Sequence, residues 1–304
     1  MNVDTKLKPK VSIGMAVYNG ERFIRSRLES ILSQTFTDFE LIISDDSIDE
    51  TPIICEEYAK RDTRIHHIHN QKRIGWVRSY IFLVNEAKGE YFVWAPVDDT
   101  WSPNFLEENV KVLDSNEKIV GSISKVELYG SQDNEVELSP HDSYLKKIFK
   151  KVRRSFRPFG THPLNGSFEE KVSRCLRSMS PASLYAVFRT DKLRKSIKHE
   201  PVGSWDFITL LSVLEFGDIH VLNEVLLRYY SGGISSNGMI YSYKHHQSRF
   251  VEVLFHFTYV TTWCRKHLGI KFIVKNLDLF LWLYFYHFVG LSLEIIRLIR
   301  QRSA

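Results

Sequence analysis

The stretch VSIGMAVYNGERFIRSRLESILSQTFTDFELIISDD, residues 11–46, carries the pattern of a strand, a helix and a second strand. VSIGMAV is mostly apolar and leads to an Asn-Gly pair, which is typical of a buried strand that ends in a turn. FELIISDDS predicts a second short strand that runs into acidic residues. Between them, apolar residues have the spacing of an amphipathic helix: Phe23, Ile24, Leu28, Ile31 and Leu32.

The same alternation continues for about seventy residues more. Residues 50–60, with Pro52 near the start, predict a second helix. RIHHIHN is a short alternating segment, WVRSYIFLVNEAKG predicts a third helix stopped by Gly89, EYFVWAPVDD predicts a further strand, and SPNFLEENVKVLDSN predicts a fourth helix. Strands that alternate with helices are the signature of a parallel sheet covered on both faces. The sequence therefore predicts an α/β fold with a mostly parallel central sheet flanked by helices.

The pattern is weaker after the fourth helix. Residues 130–180 are polar, basic and irregular, and they contain KKIFKKVRRSFR at residues 146–157. That basic run fits either a solvated helix face or a contact for phosphate or anionic lipid. SLYAVFRTDKL then predicts a strand and a turn, and DFITLLSVLEFG predicts a helix closed by Gly217.

The tail from residue 250 onward is apolar and aromatic. LFLWLYFYHFVGLSL, residues 279–293, has 15 residues without a formal charge. This run is shorter than the roughly 18–20 residues that cross a bilayer. It fits a packed core helix, a contact between two copies of the chain, or a helix lying in the plane of a membrane. A helix in the membrane plane would have three basic residues beside it: Arg297, Arg300 and Arg302.

Composition bounds the class of protein. A chain of 304 residues is long enough for a large buried core, and its net charge of +5 is too small to indicate nucleic-acid binding. The three cysteines form no metal-binding spacing and fit a reducing compartment. MNVDTKLKPK has no apolar segment typical of a secretory signal, so we expect a cytoplasmic protein.

Three acidic features are candidates for chemistry: the pair Asp45-Asp46, the pair Asp98-Asp99, and Asp206. Both pairs follow predicted strands, so in a parallel sheet they should lie on the same edge, where ligands bind. Paired carboxylates there suit Mg²⁺ or Mn²⁺, which bind carboxylates together with substrate phosphates. A separate carboxylate, Asp206, could serve as a general base.

Each acidic feature also has a simpler explanation. Asp46 or Asp49 could cap the helix near Pro52, Asp99 could serve the turn at TWSP, and Asp206 could be an N-cap. The sequence contains neither GxxxxGK[ST] nor GxGxxG, so no phosphate-loop or dinucleotide motif supports nucleotide binding. It also lacks HExxH and GxSxG.

Residues 11–51 closely resemble the opening of family 2 glycosyltransferases, and GEYFVWAPVDDTWSPNFLE resembles the strand that carries their metal site. LRYYSGGISSN is similar to the segment that follows their catalytic helix. The resemblance covers roughly residues 10–237. It implies a lead-in at 1–10 and a GT-A domain at 11–237, divided into a nucleotide-binding half (11–115) and an acceptor-binding half (116–237). Residues 238–304 would form a helical, apolar extension.

The resemblance also implies an inverting enzyme that uses a nucleotide-sugar donor, with a UDP-sugar favoured, and Mn²⁺ or Mg²⁺. The acceptor would be a glycan or a lipid-linked saccharide. Asp98 and Asp99 would contact the ribose and the metal, and Asp206 would deprotonate the acceptor hydroxyl. The remaining nucleotide-binding residues would be Val17, Tyr18, Asp45, Asp46 and Arg78.

Two departures from the family pattern bear on these roles. The metal motif is usually Asp-x-Asp, and Pro96 replaces its first aspartate here. The base usually follows a glutamate, whereas Asp206 follows Trp205, and Asp191 is the alternative base. Two rival functions therefore stay open at this point: a nucleotidyltransferase acting on a sugar phosphate, and a non-catalytic binding protein derived from the same fold.

Overall fold

The computed structural model describes residues 8–130, 160–178, 181–199, 204–230, 232 and 257–302. Strands in these ranges form one sheet: β1 (Val11–Val17), β2 (Phe39–Asp45), β3 (Ile65–His69), β4 (Tyr91–Trp94), β5 (Thr100–Trp101), β6 (Ile119–Tyr129), β7 (Val187–Arg189) and β8 (Asp218–Tyr230). Their order across the sheet is β3–β2–β1–β4–β7–β6–β8–β5.

Helices cover this sheet: α1 (Glu21–Leu32), α2 (Thr51–Arg61), α3 (Trp76–Glu86), α4 (Phe105–Ser115), α5 (Phe168–Ser178), α6 (Thr190–Ser196), α7 (Trp205–Val213), α8 (Thr258–Lys275) and α9 (Leu277–Arg302). A 3-10 helix spans Pro181–Tyr185. The predicted α/β architecture is confirmed.

The first half of the sheet is parallel and the second half is mixed. β1 pairs in parallel with both β2 and β4, and β2 pairs in parallel with β3. β7 is antiparallel to β4 and to β6, whereas β6 and β8 are parallel. All seven residues of β2 are buried, as expected for a strand covered by helices on both faces.

The region predicted to be irregular contains regular structure. α5 lies within residues 130–180, and the glutamates in its first turn and Arg177 in its last turn favour the helix dipole. SLYAVFRTDKL, predicted as a strand and a turn, ends the 3-10 helix, forms the three-residue strand β7 and then enters α6. The basic run at 146–157 lies outside the described residues.

Gly89 does not stop the third helix, as the sequence had indicated. α3 ends at Glu86, and Ala87 is already extended. A Cβ atom on Gly89 would lie 2.5 Å from the backbone nitrogen of Ser12 and 2.8 Å from the carbonyl carbon of Val11. The Gly89 N–H also donates to the Ser12 hydroxyl at 2.7 Å. Glycine is therefore required here for the close approach of this turn to β1.

The apolar tail forms two helices. Gly269, with φ of 79°, interrupts α8. The run predicted at 279–293 lies within α9, which is 26 residues long, and its apolar stretch from Leu277 to Ile296 is long enough to cross a membrane by length and composition. The helix is therefore longer than the run without formal charges had indicated, because Asp278 and Glu294 do not end it.

Gly89→Ala should lower the free energy of unfolding by about 1–3 kcal/mol, because the added methyl group would meet backbone atoms of β1. Lys88→Ala is the matched control, since the Lys88 side chain is exposed, and it should change stability by less than about 0.5 kcal/mol. Urea unfolding followed by circular dichroism measures both. Equal midpoints for the two variants would contradict the close-approach explanation.

Candidate active site

The two acidic pairs lie on the same edge of the sheet, as predicted. Val17, the last residue of β1, is in register with Asp45, and Gly14 on the same strand is in register with Trp94 at the end of β4. Because all three strands are parallel, the chain leaves β2 and β4 on one side of the sheet. Asp46 follows β2 directly, and the Asp98-Asp99 pair begins four residues after the end of β4.

Asp46 holds the loop between β3 and α3. One of its carboxylate oxygens accepts hydrogen bonds from the backbone N–H groups of Ile74 (3.1 Å) and Gly75 (2.8 Å), and the other accepts from the Asn70 amide at 3.0 Å. Asp46 is buried, so these three donors replace the hydrogen bonds that water would make to an exposed carboxylate. It does not cap α2; Asp49 accepts from the Thr51 N–H at 3.0 Å near the start of that helix.

Asp45 lies between two histidines on β3. Its carboxylate accepts from the Ser47 N–H at 2.8 Å and contacts Nε2 of His67 at 3.0 Å and Nδ1 of His69 at 3.5 Å. Burial alone would raise the pKa of Asp45, but the hydrogen bonds from His67 and Ser47 outweigh burial and hold this pKa below its usual value. Asp45 is thus an ionised carboxylate inside the protein.

Asp98 and Asp99 occupy the turn between β4 and β5. Asp99 is buried, and its Oδ1 accepts from the Tyr230 N–H at the end of β8 at 3.0 Å. Its Oδ2 is buried without a hydrogen-bond partner among the described residues. The Tyr129 hydroxyl donates to the Asp98 carbonyl oxygen. The Asp99 side chain therefore joins this turn to the end of β8, and one of its oxygens is left open.

Burial and the neighbouring carboxylate of Asp98 raise the pKa of Asp99 to about 8. The Tyr230 N–H and the Arg27 guanidinium act in the opposite direction, since both favour the ionised form. Burial also raises the pKa of Asp98. An unpaired oxygen on a buried, crowded dicarboxylate is an arrangement that a bound cation would stabilise.

Pro96 lies between the last residue of β4 and this turn. Its carbonyl oxygen accepts from the Asp99 N–H at 3.4 Å. The preceding residue, Ala95, still donates to the carbonyl of Gly14 on β1 at 2.8 Å. Proline has no N–H to continue such bonding, so it suits a position where the strand ends. The substitution removes one carboxylate of the family motif and leaves the Asp98-Asp99 turn in place.

Arg27 is a functional candidate that the sequence analysis missed. Its guanidinium stacks on the Trp101 ring at 4.1 Å, and none of its three nitrogens has a hydrogen-bond partner among the described residues. Burial lowers the pKa of Arg27 to about 10, and the charges of Asp99 and Asp98 oppose that effect. Arg27 is therefore the buried positive charge next to the acidic pair.

The signal for Arg27 was present in the amphipathic pattern of α1. The buried face of this helix consists of Ile24, Arg27, Leu28 and Ile31, so the arginine occupies an apolar position of the repeat. A charged residue on a buried face is uncommon unless it is paired. It therefore marks a place where the core contains charge of the opposite sign.

Asp206 lies in the first turn of α7, and aromatic packing fixes that turn. The Trp205 ring lies 6.0 Å from Trp94 at the end of β4 and 6.3 Å from Tyr80, both in edge-to-face arrangements. The Trp205 indole N–H donates to the Lys198 carbonyl at 2.9 Å. These contacts hold α7 against the strand that leads into the Asp98-Asp99 turn.

Asp206 and the acidic pair share one electrostatic environment. The pKa of Tyr80 is raised mainly by burial. A hydrogen bond to Tyr185 lowers this pKa, and the negative charges of Asp99, Asp98 and Asp206 raise it further. Burial raises the pKa of Asp206 itself. It lines a shallow depression and has no ion-pair partner among the described residues.

Asp191 lies at the opposite edge of the sheet. β7 is antiparallel to β4, and Arg189 at its end is in register with Tyr91 at the start of β4. The following residue, Thr190, donates its N–H to the Glu90 carbonyl at 3.0 Å, and Asp191 pairs with Lys192. The structure therefore separates Asp191 from the other candidates and brings Asp206 to them.

Three further predicted residues lie along the edge near β1. Val17 is buried at the end of that strand, and Tyr18 follows it, half-buried. The guanidinium of Arg73, which the sequence analysis did not single out, lies 3.9 Å from the centre of the Tyr18 ring. Arg78 is exposed on α3 and makes no ion pair with the described residues.

The family model for glycosyl transferase family 2 matches residues 12–173. EpsH of Bacillus subtilis (strain 168), named as a glycosyltransferase, is 33% identical over 157 residues, which cover 49% of this chain and 45% of EpsH. The chain thus spans about half the length of the curated relatives it matches.

Two solved structures share the fold. S. aureus TarS 1-349 in complex with UDP-GlcNAc has a TM-score of 0.54 and 18% identity, covering 78% of this chain and 64% of TarS. The mannosyltransferase PcManGT from Pyrobaculum calidifontis, in complex with GDP-Man and Mn²⁺, has a TM-score of 0.54 and 16% identity, covering 96% of this chain and 76% of PcManGT. With the family model matching more than half of its residues, the chain belongs to glycosyl transferase family 2.

Proposed function

We propose that the protein transfers a sugar from a nucleoside-diphosphate donor, with a UDP-sugar favoured, to a hydroxyl of a glycan or lipid-linked saccharide, with inversion at the anomeric carbon. One observation carries the proposal: buried Asp99 keeps an open oxygen in the turn after β4, and Asp206 lies in the first turn of the helix that packs on the end of β4 through Trp205 and Trp94. UDP-GlcNAc in TarS and GDP-Man in PcManGT support a nucleotide-sugar donor. The family match favours glycosyl transfer over nucleotidyl transfer.

The donor nucleotide would bind along the edge formed by the ends of β1, β2 and β4. Val17 and Tyr18 would line the base, and Asp46, whose carboxylate is already fixed by three donors, would present its remaining lone pair to a base N–H. Asp45 would stand beside it, Asp98 would accept from the ribose, and exposed Arg78 would approach the phosphates.

Asp98 and Asp99 would hold Mn²⁺ or Mg²⁺. The residues present fit such an ion, because Asp99 Oδ2 is buried without a partner and carboxylate oxygens are the ligands these cations prefer. A bound divalent ion neutralises charge that develops on the diphosphate as it leaves. Arg27, buried beside the pair, would hold the turn in place when two like charges are adjacent.

Asp206 would take the proton from the acceptor hydroxyl while the acceptor oxygen forms its bond to the anomeric carbon. The bond from that carbon to the phosphate oxygen breaks, and the electron pair leaves with the diphosphate. Attack on the face opposite the leaving group gives inversion. A raised pKa makes the Asp206 carboxylate a stronger base than an exposed aspartate.

Asp206→Asn should lower the transfer rate by about 10²–10⁴-fold, because the amide cannot accept the proton. Donor affinity should be unchanged. The assay is mass-spectrometric detection of sugar transfer from UDP-GlcNAc, GDP-mannose and other nucleotide sugars to saccharide acceptors. Asp191→Asn, exposed at the opposite edge, is the matched control and should behave as wild type. Equal loss in the two variants, or none in Asp206→Asn, would contradict the assignment.

The stability of the metal-free protein should fall as pH rises from about 4, the ordinary aspartate pKa, to about 8. The folded protein keeps the Asp99 proton across this range and the unfolded chain releases it, so each pH unit costs up to about 1.4 kcal/mol. Thermal unfolding in a chelator from pH 5 to 8 measures the effect. Asp99→Asn, which imitates the neutral acid, should flatten the profile, and Asp191→Asn should not; a wild-type profile already flat would contradict the raised pKa.

We also propose that α9 binds the cytoplasmic face of a membrane. One side of the helix packs inside the protein through residues such as Leu283 and His287, whereas Leu281 and Phe285 on the other side are 63% and 60% exposed. Apolar residues at the end of α8 are also exposed, next to Lys271 and Lys275. An exposed apolar surface beside basic residues suits an anionic bilayer.

The double substitution Leu281→Glu with Phe285→Glu should reduce binding to phosphatidylcholine–phosphatidylglycerol vesicles by at least about tenfold, because each side chain loses its burial in lipid. Co-sedimentation measures this, and vesicles of phosphatidylcholine alone should bind less protein. Ile53→Glu replaces an equally exposed apolar residue on α2 and serves as the control. Vesicle binding that survives the double substitution would exclude this face.

A further inference from the structure

A second cluster of metal-binding groups lies at the end of β2 and β3. Ile43 is in register with His67 and Asp45 with His69, so the two histidines are two residues apart on one strand and point to the same face. One Asp45 oxygen, Oδ2, lies 3.0 Å from Nε2 of His67 and 3.5 Å from Nδ1 of His69. The three ligand atoms lie within 4.8 Å of one another.

A hydrogen bond between Asp45 and one histidine would be enough to satisfy the buried carboxylate. It does not account for the second imidazole, whose Nδ1 lies 3.5 Å from the same oxygen although the His69 side chain is 45% exposed. Asp45 is additionally held by the Ser47 N–H at 2.8 Å. The hydrogen bond to Oδ1 therefore fixes the orientation of the carboxylate and leaves Oδ2 facing the histidines, as supporting hydrogen bonds do for carboxylates that ligate metals.

We propose that Asp45, His67 and His69 form a second divalent-metal site that binds Zn²⁺ or a similar transition-metal ion. Two imidazole nitrogens and one carboxylate oxygen favour Zn²⁺, Co²⁺ or Ni²⁺ over Mg²⁺, which prefers oxygen alone. Three protein ligands leave at least one coordination position for water or another ligand. The exposed side of His69 provides a route of entry for the ion.

This site is separate from the one proposed at Asp98 and Asp99. β1 lies between β2 and β4, so the two sites are about 10 Å apart or more, two strand spacings across the sheet. Their ligands also differ in kind, because the Asp98-Asp99 pair offers carboxylates and Asp45 is accompanied by imidazoles. The inference rests on the geometry of β2 and β3 and does not depend on sugar transfer.

Isothermal titration of the full chain, without a histidine tag, with Zn²⁺ tests the proposal. His67→Ala and His69→Ala should each weaken binding at this site by at least about tenfold, because even residues that only orient metal ligands are worth about 10–100-fold. His66→Ala is the matched control. His66 lies on the same strand with its side chain toward Glu40, 3.7 Å away, and its loss should leave binding at wild-type strength.

The visible spectrum of the Co²⁺-loaded wild-type protein gives a test that requires no variant. Co²⁺ held by two imidazoles and a carboxylate in four- or five-coordinate geometry should give absorption bands much stronger than those of the aqueous ion. Only weak, aquo-like bands in the wild type, or Zn²⁺ affinity unchanged in both His67→Ala and His69→Ala, would overturn the proposal. Since neither measurement follows catalysis, an inactive protein can still support this site.

Discussion

The parallel pairing of β1 with both β2 and β4 is the constraint on which the candidate active site depends. It sends two strands that are far apart in sequence to the same edge, with Asp45 and Asp46 at one end and Asp98 and Asp99 after the other. Nothing in the short acidic motifs themselves brings them together. Hydrophobic burial of the strands, all covered by helices, provides the free energy that holds the carboxylates near one another.

The acidic side chains at this edge of the sheet are each balanced by a different kind of partner. Asp46 is neutralised by N–H dipoles from a loop, Asp45 by imidazoles, and the Asp98-Asp99 pair by the guanidinium of Arg27. Within the described part of the chain, the last of these groups is the one that keeps unpaired buried atoms, both on the arginine and on Asp99. Buried polar atoms without partners lower the stability of the folded protein. A charged ligand that pairs with them therefore binds more favourably here than at a site whose polar groups are already satisfied.

The sequence predicted the existence of β1 to β4 and of α1 to α4, because these elements have clear periodicity, whereas the two-residue strand β5 was not predicted. It predicted the common edge of the two acidic pairs for the same reason. β6 and β8 were missed because buried and exposed residues do not alternate regularly along them and their partner strands lie far away in sequence. Arg27 was missed because a helical pattern read for apolar residues ignores a charge within it.

The hydrogen bond from the Tyr230 N–H to Asp99 joins residues 131 positions apart. Contacts of such separation form slowly, because a long loop must close first. The turn that carries the acidic pair is therefore fixed only after β8 has been added to the sheet. During synthesis, a chain that ends before β8 leaves Asp99 without this bond, so the order of translation separates the assembly of the core from the completion of the site.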